Sequence, residues 1–270
     1  MSSDLLVERA DGVVTITFNR PHRRNALTPA MFDSFADELR RIALSESDRV
    51  LVLAGAPGAF CAGMDLNHIH EMATGYDALH RKSRSVMHES AQLFNLPVPT
   101  IAKVDGPVAG LGYAWALSCD FVIASTRASF TLSFAKRGIA VEGGLTWILP
   151  RLVGLQQAKR IGMLAERLDA EEARTLGLVT ELVEPEDLDR ATGEFVRKLR
   201  DISPSVLLMN KSMMNDSFAI TRAEAEETEL RNNALLFSRT DFGEGVKAFL
   251  ERREPVFGAD GDPAAGGEGD

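Results

Sequence analysis

Gly58-Ala-Phe-Cys-Ala-Gly-Met-Asp-Leu66 and Asp105-Gly-Pro-Val-Ala-Gly-Leu-Gly-Tyr113 decide how this chain is read. Each follows a strand-like run, Val50–Ala54 before the first and Thr100–Val104 before the second. Val50-Leu-Val-Leu-Ala54 is apolar throughout, as a strand buried on both faces of a parallel sheet is. After the second segment, residues 111–118 are apolar nearly all round, which predicts a buried helix. Gly106, Gly110 and Gly112 flank its start, where missing Cβ atoms let a ligand approach the backbone. The first N–H groups of a helix have no partner inside it, and the dipole adds partial positive charge there. The Leu111 amide is therefore a candidate oxyanion donor, and the Met64 amide a second. Read by itself, the segment around Leu111 fits a tight strand-to-helix packing turn equally well. A dinucleotide fingerprint is disfavoured, because Trp115 stands at the third glycine position.

Working outward, Val13-Val-Thr-Ile-Thr-Phe18 is β-branched and reads as a strand. Thr28 and Pro29 form an N-cap and first-turn pair. The run to about Leu44 carries Met31, Phe32, Phe35, Leu39 and Ile42 at helical spacing. Residues 66–94 read as helical or irregular. Phe121–Ala124, Ser129–Leu132 and Leu178–Val183 are further strand candidates. Leu145–Leu152 and Leu155–Leu164 read as helices, broken by Pro150 and Gly154. After Pro185 the pattern is helical through Phe249, with breaks near Pro204 and Asn215. The pattern predicts an α/β core over residues 1–200 and a helical region over 201–257. Residues 258–270 form a tail that is disordered by composition.

The chain has 270 residues, 45% hydrophobic and 26% charged, as in a soluble globular protein with one large core. A net charge of −9 argues against a nucleic-acid partner. An anionic ligand would need local cations, which Arg20, His22, Arg23 and Arg24, or Arg252 and Arg253, could supply. Two cysteines, Cys61 and Cys119, make no disulfide framework and suggest a reducing cytoplasm. Cys61 reads as a small buried hydrophobe. No signal peptide, lipidation signal or membrane-length apolar run is evident. The histidines, including His68, His70, His80 and His88, form no metal-binding spacing, so no metal is expected.

Glu142 is an isolated carboxylate in Ile139-Ala-Val-Glu-Gly-Gly144. Such a group is a candidate base if its surroundings are dry. Alone, it also fits a solvated loop residue or a neighbour of a helix N-cap.

Several motifs together resemble the enoyl-CoA hydratase/isomerase (crotonase) family. They are Phe60-Cys-Ala-Gly-Met-Asp-Leu66, Val104-Asp-Gly-Pro-Val-Ala-Gly-Leu-Gly112, Ser118-Cys-Asp120, Ala128-Ser-Phe130, Thr146-Trp-Ile-Leu-Pro-Arg-Leu-Val-Gly154 and Ala173…Gly177-Leu-Val179. The match runs in order from about residue 5 to 257. The resemblance implies an α/β spiral of ββα units with a C-terminal helical trimerisation region. It implies a homotrimer or a dimer of trimers, and acyl-CoA thioester substrates. It also implies that the Met64 and Leu111 amides hold the thioester oxygen while an enolate forms.

The family's hydratases carry two glutamates, and those positions hold Ala114 and Phe134 here. Glu142 instead matches the single acid/base of the Δ3,Δ2-enoyl-CoA isomerases. Ring-epoxide isomerases of phenylacetate breakdown are similar too, with aspartate at that place. The expected activity is an acyl-CoA isomerase needing no cofactor beyond the coenzyme A that carries its substrate. The alternatives are a ring-epoxide CoA isomerase, an atypical hydratase, or a non-catalytic acyl-CoA binding subunit. Coenzyme A is expected at Arg23, Arg24 and the backbone around Ala62, Asp65 and Leu66, with Phe249 and Arg252 reaching in from a neighbouring subunit. Asp65 also reads as a cap for the following helix. His88 is the one residue that could serve a dehalogenase-like role.

Overall fold

The computed structural model describes residues 4–68 and 87–258. The chain enters through a hairpin of β1 (Leu5–Ala10) and β2 (Val13–Phe18), paired antiparallel. Asp11 and Gly12 both take positive φ, 51° and 76°, as a two-residue hairpin whose turn matches strand twist requires. The sequence pattern did not announce β1. Its core-facing alternation is lost because it is an edge strand, and only Leu5 is fully buried.

β2 pairs in parallel with β3 (Val50–Gly55), β3 with β4 (Thr100–Val104), β4 with β6 (Phe121–Ser125), and β6 with β9 (Glu181–Val183). A second sheet joins three short strands, β5 (Pro107–Ala109), β7 (Ser129–Thr131) and β8 (Arg167–Asp169). β5 follows β4, and β7 follows β6, after turns of two and three residues. Each long strand thus hands the chain to a short one in the other sheet. Cys61 bridges Val108, so the segment after β3 joins the second sheet in the same way. That recurring handover is the ββα spiral.

Helix α1 (Pro29–Leu44) is capped by the Thr28 hydroxyl, which accepts from the Met31 N–H at 3.3 Å. Its apolar stripe supplies Phe35, which stacks on Trp115 at 4.3 Å. Trp115 belongs to α2 (Leu111–Ser118), whose eight residues are all buried. Phe18 packs against the same ring at 5.6 Å and edge-on against Phe60. Trp115 therefore anchors α2 among Phe18, Phe32 and Phe35.

α3 spans Leu145–Leu164 with non-helical angles at Gly154, φ 76° and ψ 160°. Pro150 does not break it. The carbonyl that loses a partner to Pro150 is that of exposed Thr146, in the first turn, where water can serve instead. The strand expected over 178–183 shrinks to Glu181–Val183. Leu178 and Val179 are buried in the main core, and the Thr180 N–H bonds the Val122 carbonyl at 2.8 Å.

After α4 (Ala170–Thr175) come α5 (Leu188–Arg200), α6 (Pro204–Asp216), α7 (Arg222–Phe237) and α8 (Thr240–Glu251). A break at Ser238–Arg239 separates the last two. α6 is tied to the core by the Lys211 ammonium, which donates to the Val98 carbonyl at 3.0 Å and to Asp120 at 2.8 Å. Asn215 adds a bond to the Phe94 carbonyl at 3.1 Å. α6 and α7 bury no residue fully. Among the described residues no helix is long and apolar enough to cross a membrane.

Candidate active site

The segment after β3 is held on one side by the turn before α1. The Ala62 N–H donates to the Arg24 carbonyl at 3.0 Å, Leu27 N–H to Gly63 at 2.8 Å, and Asp65 N–H to Leu27 at 2.9 Å. Alternate groups of an extended chain face opposite ways. With the Gly63 carbonyl and the Asp65 N–H turned to Leu27, the Met64 N–H faces the other side. No partner for it is found among the described residues. The same holds for the Leu111 N–H, the first of α2.

Gly63 brings the two amides together. Its φ is +85°, and a Cβ there would lie 2.9 Å from the Ala109 carbonyl oxygen and 3.1 Å from the Leu111 nitrogen. Only a residue without a side chain allows that approach. The peptide linking Gly63 to Met64 thus runs beside the Leu111 amide.

Two residues, Gly143 and Gly144, separate Glu142 from α3, and Gly143 presses its backbone onto α2. With φ +69°, a Gly143 Cβ would lie 2.5 Å from the Ala114 Cβ and 3.5 Å from Leu111 Cδ2. Glu142 is half-buried. Burial raises its carboxyl above the ordinary glutamate range, and among the described residues no cation or donor offsets the effect. Ala114 and Phe134 are both buried and offer no proton carrier. Gly143 and Gly144 border a cavity of about 320 Å³, with Ser90, Phe94, Ser118 and Trp147 among its walls.

Two sequence candidates turn out to be committed elsewhere. Arg20 is buried, bonds the Ala26 carbonyl at 2.6 Å, and pairs with Asp65 at 3.0 Å. It is not part of a free cationic cluster. Asp65 is buried as well. Burial alone would raise its pKa, but the Asn67 N–H at 3.1 Å and the Arg20 guanidinium outweigh that and hold it low. Its side chain and N–H hold the loop and cap 66–68, as the capping reading expects. Nothing in the sequence linked Arg20 to a carboxylate so far along the chain.

Arg23 and Arg24 are exposed on the turn over 21–24, which the Ala62 bond pins beside the first segment. Ala62 is half-buried and Leu66 exposed. Phe249 is 82% exposed, and Arg252 is exposed at the end of α8. Within one chain these two are not brought to Glu142. Phe249 borders a separate cavity of about 660 Å³ between α6, α7 and α8.

Cys61 is buried, its thiol pushed up to about 12 by desolvation, and its Sγ accepts the Gly63 N–H at 3.4 Å. It is a packed hydrophobe rather than a nucleophile. His68 is half-buried and His88 exposed, while His70 and His80 lie outside the described residues. Among the described residues no His, Cys, Asp and Glu side chains cluster to hold a metal. Sequence reasoning missed Ser90, Phe94 and Trp147 as walls of the cavity at Gly143 and Gly144. Only the adjacency of Trp147 to the Glu-Gly-Gly turn could have pointed to one of them.

Comparison with known proteins agrees with this architecture. The family profile described as Enoyl-CoA hydratase/isomerase matches residues 8–260. The chain is 34% identical to 1,2-epoxyphenylacetyl-CoA isomerase of Escherichia coli K12, over 91% of this chain and 95% of that protein. It is also 34% identical to 2,3-dehydroadipyl-CoA hydratase of the same organism, over 94% and 98%. The crystal structure of enoyl-CoA hydratase from Bacillus anthracis superposes with a TM-score of 0.90 at 28% identity, covering 96% of this chain and all of that one. The protein is thus an enzyme with the crotonase fold. It belongs to the enoyl-CoA hydratase/isomerase family.

Proposed function

We propose that this protein is an acyl-CoA isomerase that shifts a double bond by proton transfer through a thioester enolate. The observation that carries the reading is Glu142, a half-buried carboxylate raised by desolvation with no described ion-pair partner, beside the Leu111 end of α2. Glu142 removes the C2 proton of a 3-enoyl thioester. The electron pair moves toward the thioester oxygen, where the Met64 and Leu111 N–H groups donate to it. The carboxylic acid just formed returns the proton at C4, and the double bond ends between C2 and C3. One carboxyl group therefore completes the cycle. Each amide donor is worth about 10²–10³ in rate, and a positioned general base about 10²–10⁴.

Arg23 and Arg24 supply charge for the coenzyme A phosphates, beside the backbone at Ala62 and Leu66. Phe249 and Arg252 complete that site from a neighbouring subunit, in a homotrimer or dimer of trimers. Support for assembly comes from the last helices, where Leu230, Phe237, Phe249 and Leu250 are each more than 60% exposed. Residues 1–200 then act as the core and 201–257 as the assembly region.

Buried Ala114 and Phe134 argue against water addition, which needs a second proton carrier. The likeness to the epoxyphenylacetyl-CoA isomerase favours a second reading, isomerisation of a ring-epoxide CoA ester at the same carboxylate. Supplying pure protein with a 3-enoyl-CoA and a 2-enoyl-CoA in separate assays tests the reading. Conversion of the first to the 2-enoyl isomer is expected. Rapid conversion of the second to 3-hydroxyacyl-CoA would reject it.

A further inference from the structure

Resting on the reading of Glu142 as the acid/base, we propose that the ring pair Phe94–Trp147 is the floor that sets acyl-chain length. Two cavities meet the C-terminal end of α2. The near one, about 320 Å³, begins at Gly143 and Gly144 beside Glu142 and reaches Ser118. The far one, about 430 Å³, lies under α6 and touches Leu117 and Cys119 at the end of the same helix. Gly143 and Gly144 follow Glu142 directly in the chain and border the near cavity, so an acyl group whose C2 meets the Glu142 carboxyl group enters that cavity past them.

Phe94, Trp147, Ile148 and Asn215 border both cavities and form their common wall. Phe94 and Trp147 meet edge to face, centroids 5.6 Å apart at 82°. Trp147 has a second contact, with Arg151. The Arg151 guanidinium lies 3.8 Å from its ring centroid and donates to its carbonyl at 2.8 Å. A clamped indole does not swing aside for an incoming chain. The near cavity takes a medium-length acyl group, and the far one is out of reach while the ring pair stands.

Trp147 is 38% exposed, so truncation does not open a void in the main core. The test measures dissociation constants of butyryl-, octanoyl- and palmitoyl-CoA, which carry no double bond to move, for the parent, Trp147→Ala and Trp147→Phe. In the parent, affinity should rise from butyryl to octanoyl by about fourfold per buried methylene and then stop rising. Trp147→Ala should improve palmitoyl-CoA binding at least tenfold relative to octanoyl-CoA, while Trp147→Phe keeps the parental profile. Parallel profiles in all three proteins would overturn the proposal. The proposed reaction fails separately: the length profile can hold in a protein that leaves 3-enoyl-CoA unchanged.

Discussion

Gly63→Ala should disable the site while leaving the fold in place. A methyl group at this position would stand 3.1 Å from the Leu111 nitrogen and 2.9 Å from the Ala109 carbonyl oxygen. Both neighbours are backbone, so neither can rotate out of the way. The Met64 segment must instead back off by a few tenths of an ångström, and the new methyl covers the Leu111 N–H. The φ of +85° adds strain of about 1–3 kcal/mol for a residue with a side chain. At about 2–4 °C per kcal/mol for a chain of this size, the melting temperature should fall by several degrees and the protein remain folded at 25 °C. Loss of one oxyanion donor costs about 10²–10³ in kcat. The assay is kcat/KM on a 3-enoyl-CoA beside a thermal melt of the same preparation. A folded Gly63→Ala variant within about threefold of the parent would show that the Met64 and Leu111 amides do not act as the oxyanion site.

Three further outcomes follow from the same structure. Because the Glu142 pKa is raised on folding, its stabilising contribution is complete below the ordinary glutamate value near 4.3 and is lost as pH climbs through the raised value. Glu142→Gln should therefore melt higher than the parent at pH 8, and thermal scans should show the gap closing toward pH 4. Arg20→Ala strands the buried Asp65 carboxylate, and denaturant unfolding should register a loss of roughly 3 kcal/mol. Cys61 and Cys119 are both buried with thiols pushed up to about 12, so a thiol reagent at pH 8 should label neither until denaturant is added.

The elements legible in the sequence are those whose burial is written locally. α1 shows its stripe and its Thr28 cap, β3 is apolar on both faces, and α2 is apolar all round. β5 and β8 are not legible, since Pro107-Val-Ala109 and Arg167-Leu-Asp169 lack the aromatic and β-branched pair, Phe130 and Thr131, that marks β7. They are strands because tertiary packing lays them beside β7. The two glycine-rich segments pointed to the Met64 and Leu111 amides, but not to how they come together. The closeness depends on Gly63 lying against Leu111, a contact between residues far apart in sequence. Glu142 reads as an isolated acid in the sequence. Gly143 beside it rests on Ala114, a contact between distant segments that no local pattern encodes. Arg20 reads as one more surface cation, and only the fold reveals Asp65 opposite it.

Turnover of a 3-enoyl-CoA by Glu142→Gln, at acyl-CoA concentrations that saturate both proteins, asks whether one carboxyl group moves the proton. The amide keeps the side chain's shape and cannot accept it. Turnover should fall about 10³-fold with acyl-CoA binding and assembly intact. Undiminished turnover would mean that the proton travels by another route.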